Sequence, residues 1–145
     1  MPFEAAAGRC QGVVDNVSVA RVDQLLAEAR AQLNRVEPRD APALLADGAV
    51  LVDIRSDAQR ASDGVIPDAV YVPRNVLEWR ADPESDDAEP ALGDHHTRLV
   101  LICNEGYQSS LAAATLRRLG RDATDVVGGF LAWRESGLPV ATAPE

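Results

Sequence analysis

Cys103 is the side chain whose neighbours best suit it for nucleophilic chemistry. It ends the apolar run Leu99-Val-Leu-Ile-Cys103. A polar loop of Asn104, Glu105, Gly106, Tyr107, Gln108 and Ser109 follows and leads into a run with helical spacing that ends at Leu119. A thiol between a buried strand and a helix start faces loop amide N–H groups and the positive end of the helix dipole. Both favour the thiolate, which is the reactive form of cysteine. An ionised nucleophile needs no obvious general base. Gly106 lets the loop turn tightly. Gln108 and Ser109 can donate hydrogen bonds to a sulfur held there, and Ser109 can also cap the helix. Glu105 opposes a thiolate if it points inward, so we expect it in solvent, with Tyr107 on the rim. Taken alone, a strand-end cysteine reads equally well as a buried, inert thiol.

Other residues invite chemistry and have plainer readings. Asp53 and Arg55 end an apolar run and read as a hydrogen-bonded ion pair that fixes a strand end. Arg74 follows Pro73 and reads either as a positive charge at the pocket or as a solvated residue. His95 and His96 are adjacent in an acidic stretch, a poor arrangement for placing both rings on one metal. Cys10 reads as an inert arm residue. Trp79, Phe130 and Trp133 read as core anchors.

The elements that must position Cys103 follow from pattern. Residues 1–17 hold few large apolar groups and read as an irregular arm. Ser18 suits a helix N-cap, and Val19, Val22, Leu25, Leu26, Ala29 and Leu33 put an amphipathic helix over 18–34. Its apolar stripe must cover the domain's own surface or a second subunit, making a homodimer. Val36 suits a short edge strand, and Asp40 caps a brief helix over 41–47. Val50–Ile54 is a buried strand, followed by a helix near 57–62. Residues 66–73 form a turn, a short strand and a second turn, and Asn75 caps a helix through Trp79. Residues 81–98, with Pro83 and Pro90, read as a long mobile loop. Leu99–Cys103 is the central strand and Gln108–Leu119 the helix after it. Asp122–Val127 is a last strand before a helix over 129–136. Short apolar strands alternating with helices imply an α/β fold, a parallel sheet covered on both faces, with ligands bound at the carboxyl ends of its strands.

Composition narrows the function. The chain has 145 residues, 46% of them apolar, enough for one core. A formal charge of −9 argues against nucleic acid and against anionic membrane surfaces as partners. No apolar run approaches a membrane span, and the start does not resemble a secretory signal, so the expected location is cytoplasmic. The two cysteines make neither a disulfide framework nor a CxxC metal pair.

Several blocks together resemble a known family. Leu51-Val-Asp-Ile-Arg55 comes first. Gly64-Val-Ile-Pro-Asp-Ala-Val-Tyr-Val-Pro73 is similar to a "GHIPGAxxIP" signature. Leu101-Ile-Cys-Asn-Glu-Gly-Tyr-Gln-Ser109 follows, and Val127-Gly-Gly-Phe-Leu-Ala-Trp133 is similar to a closing "GGxxAW". In this order and spacing they resemble a rhodanese-like (sulfurtransferase) single domain. The resemblance implies a five-stranded parallel sheet with helices on both faces, here with an extra N-terminal helix. Residues 1–33 are then the arm and helix, and 34–145 the domain. It implies that Cys103 accepts sulfur as a persulfide in a cradle of inward N–H groups from Cys103 to Gln108. A small donor of the thiosulfate or 3-mercaptopyruvate type would supply the sulfur, and a thiol, a protein or cyanide would accept it, with no cofactor. Related phosphatases use a loop one residue longer that ends in arginine. Gln108 and Ser109 stand at those positions here, which argues against phosphate. Gln108 in place of a common arginine, Val65 in place of histidine, Gln59 in place of an acidic residue, and the added charge of Glu105 argue against thiosulfate as an efficient donor. They also keep open a non-catalytic binding or regulatory module on the same fold.

Overall fold

A run of alternating apolar residues decides where Cys103 faces. In the computed structural model, which describes residues 20–144, β3 (Arg98–Ile102) is a central strand. Side chains alternate across a strand. Leu99, Leu101 and Cys103 therefore join one core with Val52, Ala112, Ala113 and Leu116. Val100 and Ile102 join the other core with Leu51, Ile66, Phe130 and Trp133. Every residue from Leu99 to Ile102 is fully buried, as a strand covered on both faces requires.

The sheet is parallel, in the order β2 (Val70–Tyr71), β1 (Val50–Asp53), β3, β4 (Asp122–Asp125). Among the described residues it has four strands, not five. At the expected fifth place Val36 makes one isolated parallel bridge to Val126. Pro38 ends the extension at once, because it opens a 3-10 turn and has no N–H to give a ladder.

The helices are α1 (Arg21–Arg30), α2 (Ala41–Ala46), α3 (Asp57–Asp63), α4 (Leu77–Ala81), α5 (Gln108–Arg118) and α6 (Gly129–Glu135). Among the described residues, none is long and apolar enough to cross a membrane. α3 starts on a capping box between Ser56 and Gln59. α1 packs along α5, where Ala29 is buried, but Val22 and Leu25 of the same stripe stay exposed. The helix therefore covers the domain through its C-terminal half. The expected cap at Ser18, the arm over 1–17 and Cys10 lie outside the described residues.

Three expectations need correction. Asn75 does not cap α4. A 3-10 turn over Arg74–Val76 runs into the helix, and Val76 takes the N-cap position without a side-chain bond. Trp79 is not a core anchor but 58% exposed. α4 has room for one buried face, which Leu77 and Ala81 occupy at i, i+4 spacing, and Trp79 points away from it. The segment after α4 is not a free loop. Leu92 is fully buried, and the Arg121 guanidinium donates to the carbonyls of Ala81 and Leu92.

Candidate active site

The loop after β3 is built so that the carbonyls of Cys103, Asn104 and Gly106 face out. The Cys103 carbonyl accepts from Phe130 N–H at 2.7 Å, and the Asn104 carbonyl from Leu131 N–H at 3.1 Å. These donors are free because they lie in the first turn of α6, whose N–H groups have no partner within the helix. The Gly106 carbonyl accepts from Arg30 at 2.7 Å and Arg35 at 3.0 Å. In a trans peptide the N–H points opposite to the C=O, so outward carbonyls turn the following amides inward. Gly106 and Ser109 N–H donate to the Cys103 Sγ at 3.2 and 3.3 Å. No described residue accepts from the N–H of Asn104, Glu105, Tyr107 or Gln108. The thiol thus sits in a ring of amide donors at the first turn of α5, the arrangement that holds an anion.

Glycines permit this closeness. Gly106 has φ +89°, and a Cβ there would meet Gly128 N at 2.7 Å. Gly129 has φ +64°, and a Cβ there would meet the Cys103 carbonyl oxygen at 2.5 Å. The two backbones touch directly, so the Gly128-Gly129 pair fixes the floor of the loop.

The expected residues divide clearly. Cys103 is buried at the strand end, Gly106 is buried, and Asn104 is half-buried. Glu105 and Gln108 are exposed, and Tyr107 forms a rim at 60% exposure. Ser109 acts differently from expectation. Its hydroxyl does not cap α5 but donates to Asp125 at 2.7 Å, and its N–H reaches the thiol. Asp53 and Arg55 are both buried and pair at 2.9 Å. Arg55 also donates to the Gly64 carbonyl and lies 3.9 Å from the Phe130 ring centroid, so it braces β1 against its surroundings. Arg74 pairs with Glu78 at 3.0 Å, which offsets its charge. His95 and His96 are exposed, and among the described residues no group of His, Cys, Asp and Glu side chains could hold a metal.

Sequence reasoning missed the layer behind the loop. Asp125, fully buried at the end of β4, accepts from Arg35 at 2.8 and 3.1 Å and from Ser109 and Ser110 at 2.7 Å each. Arg30 donates to Ser110 at 3.0 Å. Asp125 left a faint sequence signal, a lone acid within the strand run Ala123-Thr-Asp-Val-Val127. Arg30 and Arg35 left none, because they meet the loop from more than 70 residues away.

A thiol ringed by amides, at a strand end of an open parallel sheet, defines a cysteine-loop domain of the α/β class. The rhodanese-like domain family matches residues 37–136, and the chain belongs to it. Relatives include the thiosulfate sulfurtransferase GlpE of Pseudomonas savastanoi pv. phaseolicola, 38% identical over 104 residues, covering 71% of this chain and 89% of that protein. The GlpE of Pseudomonas syringae pv. syringae is also 38% identical, over 106 residues, with the same 71% and 89% coverage. Among solved structures, a protein of unknown function from Rhodopseudomonas palustris, described as a possible tyrosine phosphatase, matches with a TM-score of 0.75 at 32% identity. That match covers 89% of this chain and 99% of the other. A thiosulfate sulfurtransferase of Pseudomonas aeruginosa matches with a TM-score of 0.59 at 27% identity, over 74% of this chain and 19% of that one.

Proposed function

We propose that this protein is a sulfurtransferase that carries a sulfane sulfur on Cys103. The observation that supports it most is the loop with outward carbonyls and inward amides around the Cys103 Sγ. The N–H groups of Asn104, Glu105, Tyr107 and Gln108 are donors in waiting for the outer sulfur of a persulfide anion. In the first step the Cys103 thiolate attacks the outer sulfur of a donor such as thiosulfate. A new S–S bond forms, the donor's S–S bond breaks, and sulfite leaves with the electron pair. In the second step a thiolate or cyanide attacks the outer sulfur, and the Cys103 thiolate is released. Each step exchanges one bond to sulfur for another, so no external oxidant or cofactor enters.

The names of the GlpE relatives support thiosulfate as the donor class. The loop lacks a cation of its own, and that argued against thiosulfate. Arg30 and Arg35 stand directly behind the loop, and with Arg35 paired to Asp125 they bring one net positive charge to it from outside.

Intact mass after incubating the reduced protein with thiosulfate tests the proposal. The expected result is a gain of about 32 Da, one sulfur atom, that cyanide removes and Cys103→Ser abolishes. A protein whose Cys103 alkylates normally but takes no sulfur from thiosulfate or 3-mercaptopyruvate would be a binding module instead. Turnover of p-nitrophenyl phosphate that depends on Cys103, with no sulfur adduct, would replace sulfur transfer by phosphoryl transfer.

A further inference from the structure

Gly106 is held at both ends. Its N–H donates to the Cys103 Sγ at 3.2 Å, and its carbonyl takes charged donors from Arg30 at 2.7 Å and Arg35 at 3.0 Å. Both arginines precede residue 37, ahead of the segment that matches the family. Arg30 is the last residue of α1, so the helix that packs along α5 also reaches the reactive loop. Its guanidinium bonds Ser110 Oγ at 3.0 Å and lies 5.7 Å from the Tyr107 ring centroid. One side chain thus touches the turn of the loop, its rim and the first turn of α5.

The charges behind the loop do not cancel. Arg35 is paired with Asp125, the only carboxylate among the described residues that pairs with this cluster. Arg30 has no carboxylate partner among the described residues. The loop's own charged residue is Glu105, which is exposed. One uncompensated positive charge therefore lies against the outer side of the ring that surrounds the thiol. Charge-assisted hydrogen bonds are shorter and stronger than neutral ones. Two of them on one carbonyl oxygen fix the peptide between Gly106 and Tyr107 with its oxygen outward, so the Tyr107 N–H faces away from the arginines.

We propose that Arg30 is a positioning residue for Cys103. Through the Gly106 carbonyl it keeps the amide ring turned toward the sulfur, and it supplies the positive charge that residues 103–108 lack. Without it, Arg35 alone would hold that carbonyl while also serving Asp125, and Gly106 at φ +89° would be free to relax. The idea rests on the sulfur-transfer reading for its kinetic consequence, but not for its effect on the thiol.

Second-order alkylation of Cys103 by iodoacetamide, at pH 7 and at pH 10, separates these consequences. Arg30→Ala is expected to slow alkylation about three- to tenfold at pH 7. The deficit should shrink at pH 10, above the ordinary range for a cysteine thiol. Arg30→Lys, which keeps the charge and one donor, should recover most of the lost rate. Glu28→Ala, a change on the same helix away from the loop, should leave the rate unchanged. With thiosulfate and cyanide, Arg30→Ala should lower kcat more than it raises the KM for cyanide. The proposal is overturned if Arg30→Ala alkylates like the wild type at both pH values with its circular dichroism unchanged. It is equally overturned if Glu28→Ala slows alkylation as much as Arg30→Ala does. Should Arg30→Ala lose its folded signal, Arg30→Gln carries the same comparison. If the wild type takes no sulfur but Arg30→Ala still alkylates slowly at pH 7, the sulfur-transfer reading fails and this inference stands.

Discussion

Asp125 shows how one buried charge can be stable and also useful. Taking a carboxylate out of water costs several kcal/mol, and only dense pairing offsets it. Here the pairing comes from a bidentate arginine and two serine hydroxyls that belong to the first turn of α5. The carboxylate therefore ties β4, α5 and the segment before Val36 into one unit directly behind Cys103. Asp125→Ala would leave Arg35 and both hydroxyls without that partner, and is expected to cost about 3–5 kcal/mol. The midpoint of urea unfolding checks this, and an unchanged midpoint would mean that the pair and the gap it leaves are worth the same. Tyr71 offers a milder case. Its phenol is pushed above its ordinary value near 10, first by burial and then by its bond to Asp57. A raised folded value means that the protonated phenol stabilises the fold. That contribution is whole below the ordinary value and is lost as pH rises through the raised one. Asp57→Asn should bring the ultraviolet tyrosinate transition of Tyr71 back only part of the way, because burial is the larger cause. A Tyr107→Phe background isolates the signal, since the chain has two tyrosines.

Elements with strong local signals were legible in the sequence, and those defined by their neighbours were not. β1, β3, α5 and α6 lie where continuous apolar runs and helical spacing place them, within a few residues at each end. The loop at Cys103 follows from where β3 stops and α5 starts. The reduced edge at Val36 and the outward Trp79 depend on tertiary packing that no local window contains. Arg30 and Arg35 reach Gly106, Ser110 and Asp125 across 71 to 90 positions, so the cluster was visible only once the chain had folded. The junction of α6 with the loop makes a sharper test of element packing. A Cβ on Gly129 would lie 2.5 Å from Cys103 O, 2.7 Å from Asn104 C and 2.7 Å from Gly106 N. All three are backbone atoms of the loop and cannot swing aside as a side chain would. Gly129→Ala is expected to cost about 2 kcal/mol or more from crowding and positive φ together, and to abolish the sulfur adduct. Gly48 also has positive φ, at +104°, but nothing lies within 4 Å of its Cβ position. Gly48→Ala should cost about 1 kcal/mol from backbone strain alone and leave the Cys103 chemistry intact. A loss of reactivity in both variants would show that stability, not contact with the loop, governs the thiol.

At the scale of the whole molecule, the long connection from α4 to β3 must be held to the sheet by something other than regular structure. Arg121 does this from the position just before β4. Its guanidinium is 2% exposed as a residue, bonds the carbonyls of Ala81 and Leu92, and reaches Thr97 at 3.5 Å. No carboxylate pairs with it directly among the described residues, and burial pulls its pKa below the ordinary arginine value, against a smaller opposing pull from the charges of Asp94 and Asp82. The protein therefore accepts a desolvated cation in order to satisfy carbonyls at both ends of one connection. Two effects oppose each other when it is replaced by an apolar side chain of similar reach. The desolvation cost of the guanidinium disappears, which favours the variant. The carbonyls of Ala81 and Leu92 lose charged donors, and bonds of that kind are worth about 1.5–3 kcal/mol each. Two such bonds outweigh the relief, so Arg121→Met is expected to cost roughly 1–3 kcal/mol net. The damage should concentrate in the connection, because the sheet and the ring of amides at Cys103 draw nothing from Arg121. Limited digestion with a glutamate-specific protease reads this directly, since Glu84 and Glu89 lie in the segment. Arg121→Met should be cut there several times faster than the wild type while its Cys103 alkylates at the wild-type rate. Equal cutting in the two proteins would show that Leu92, buried in the core without any help from the arginine, is what holds the connection down.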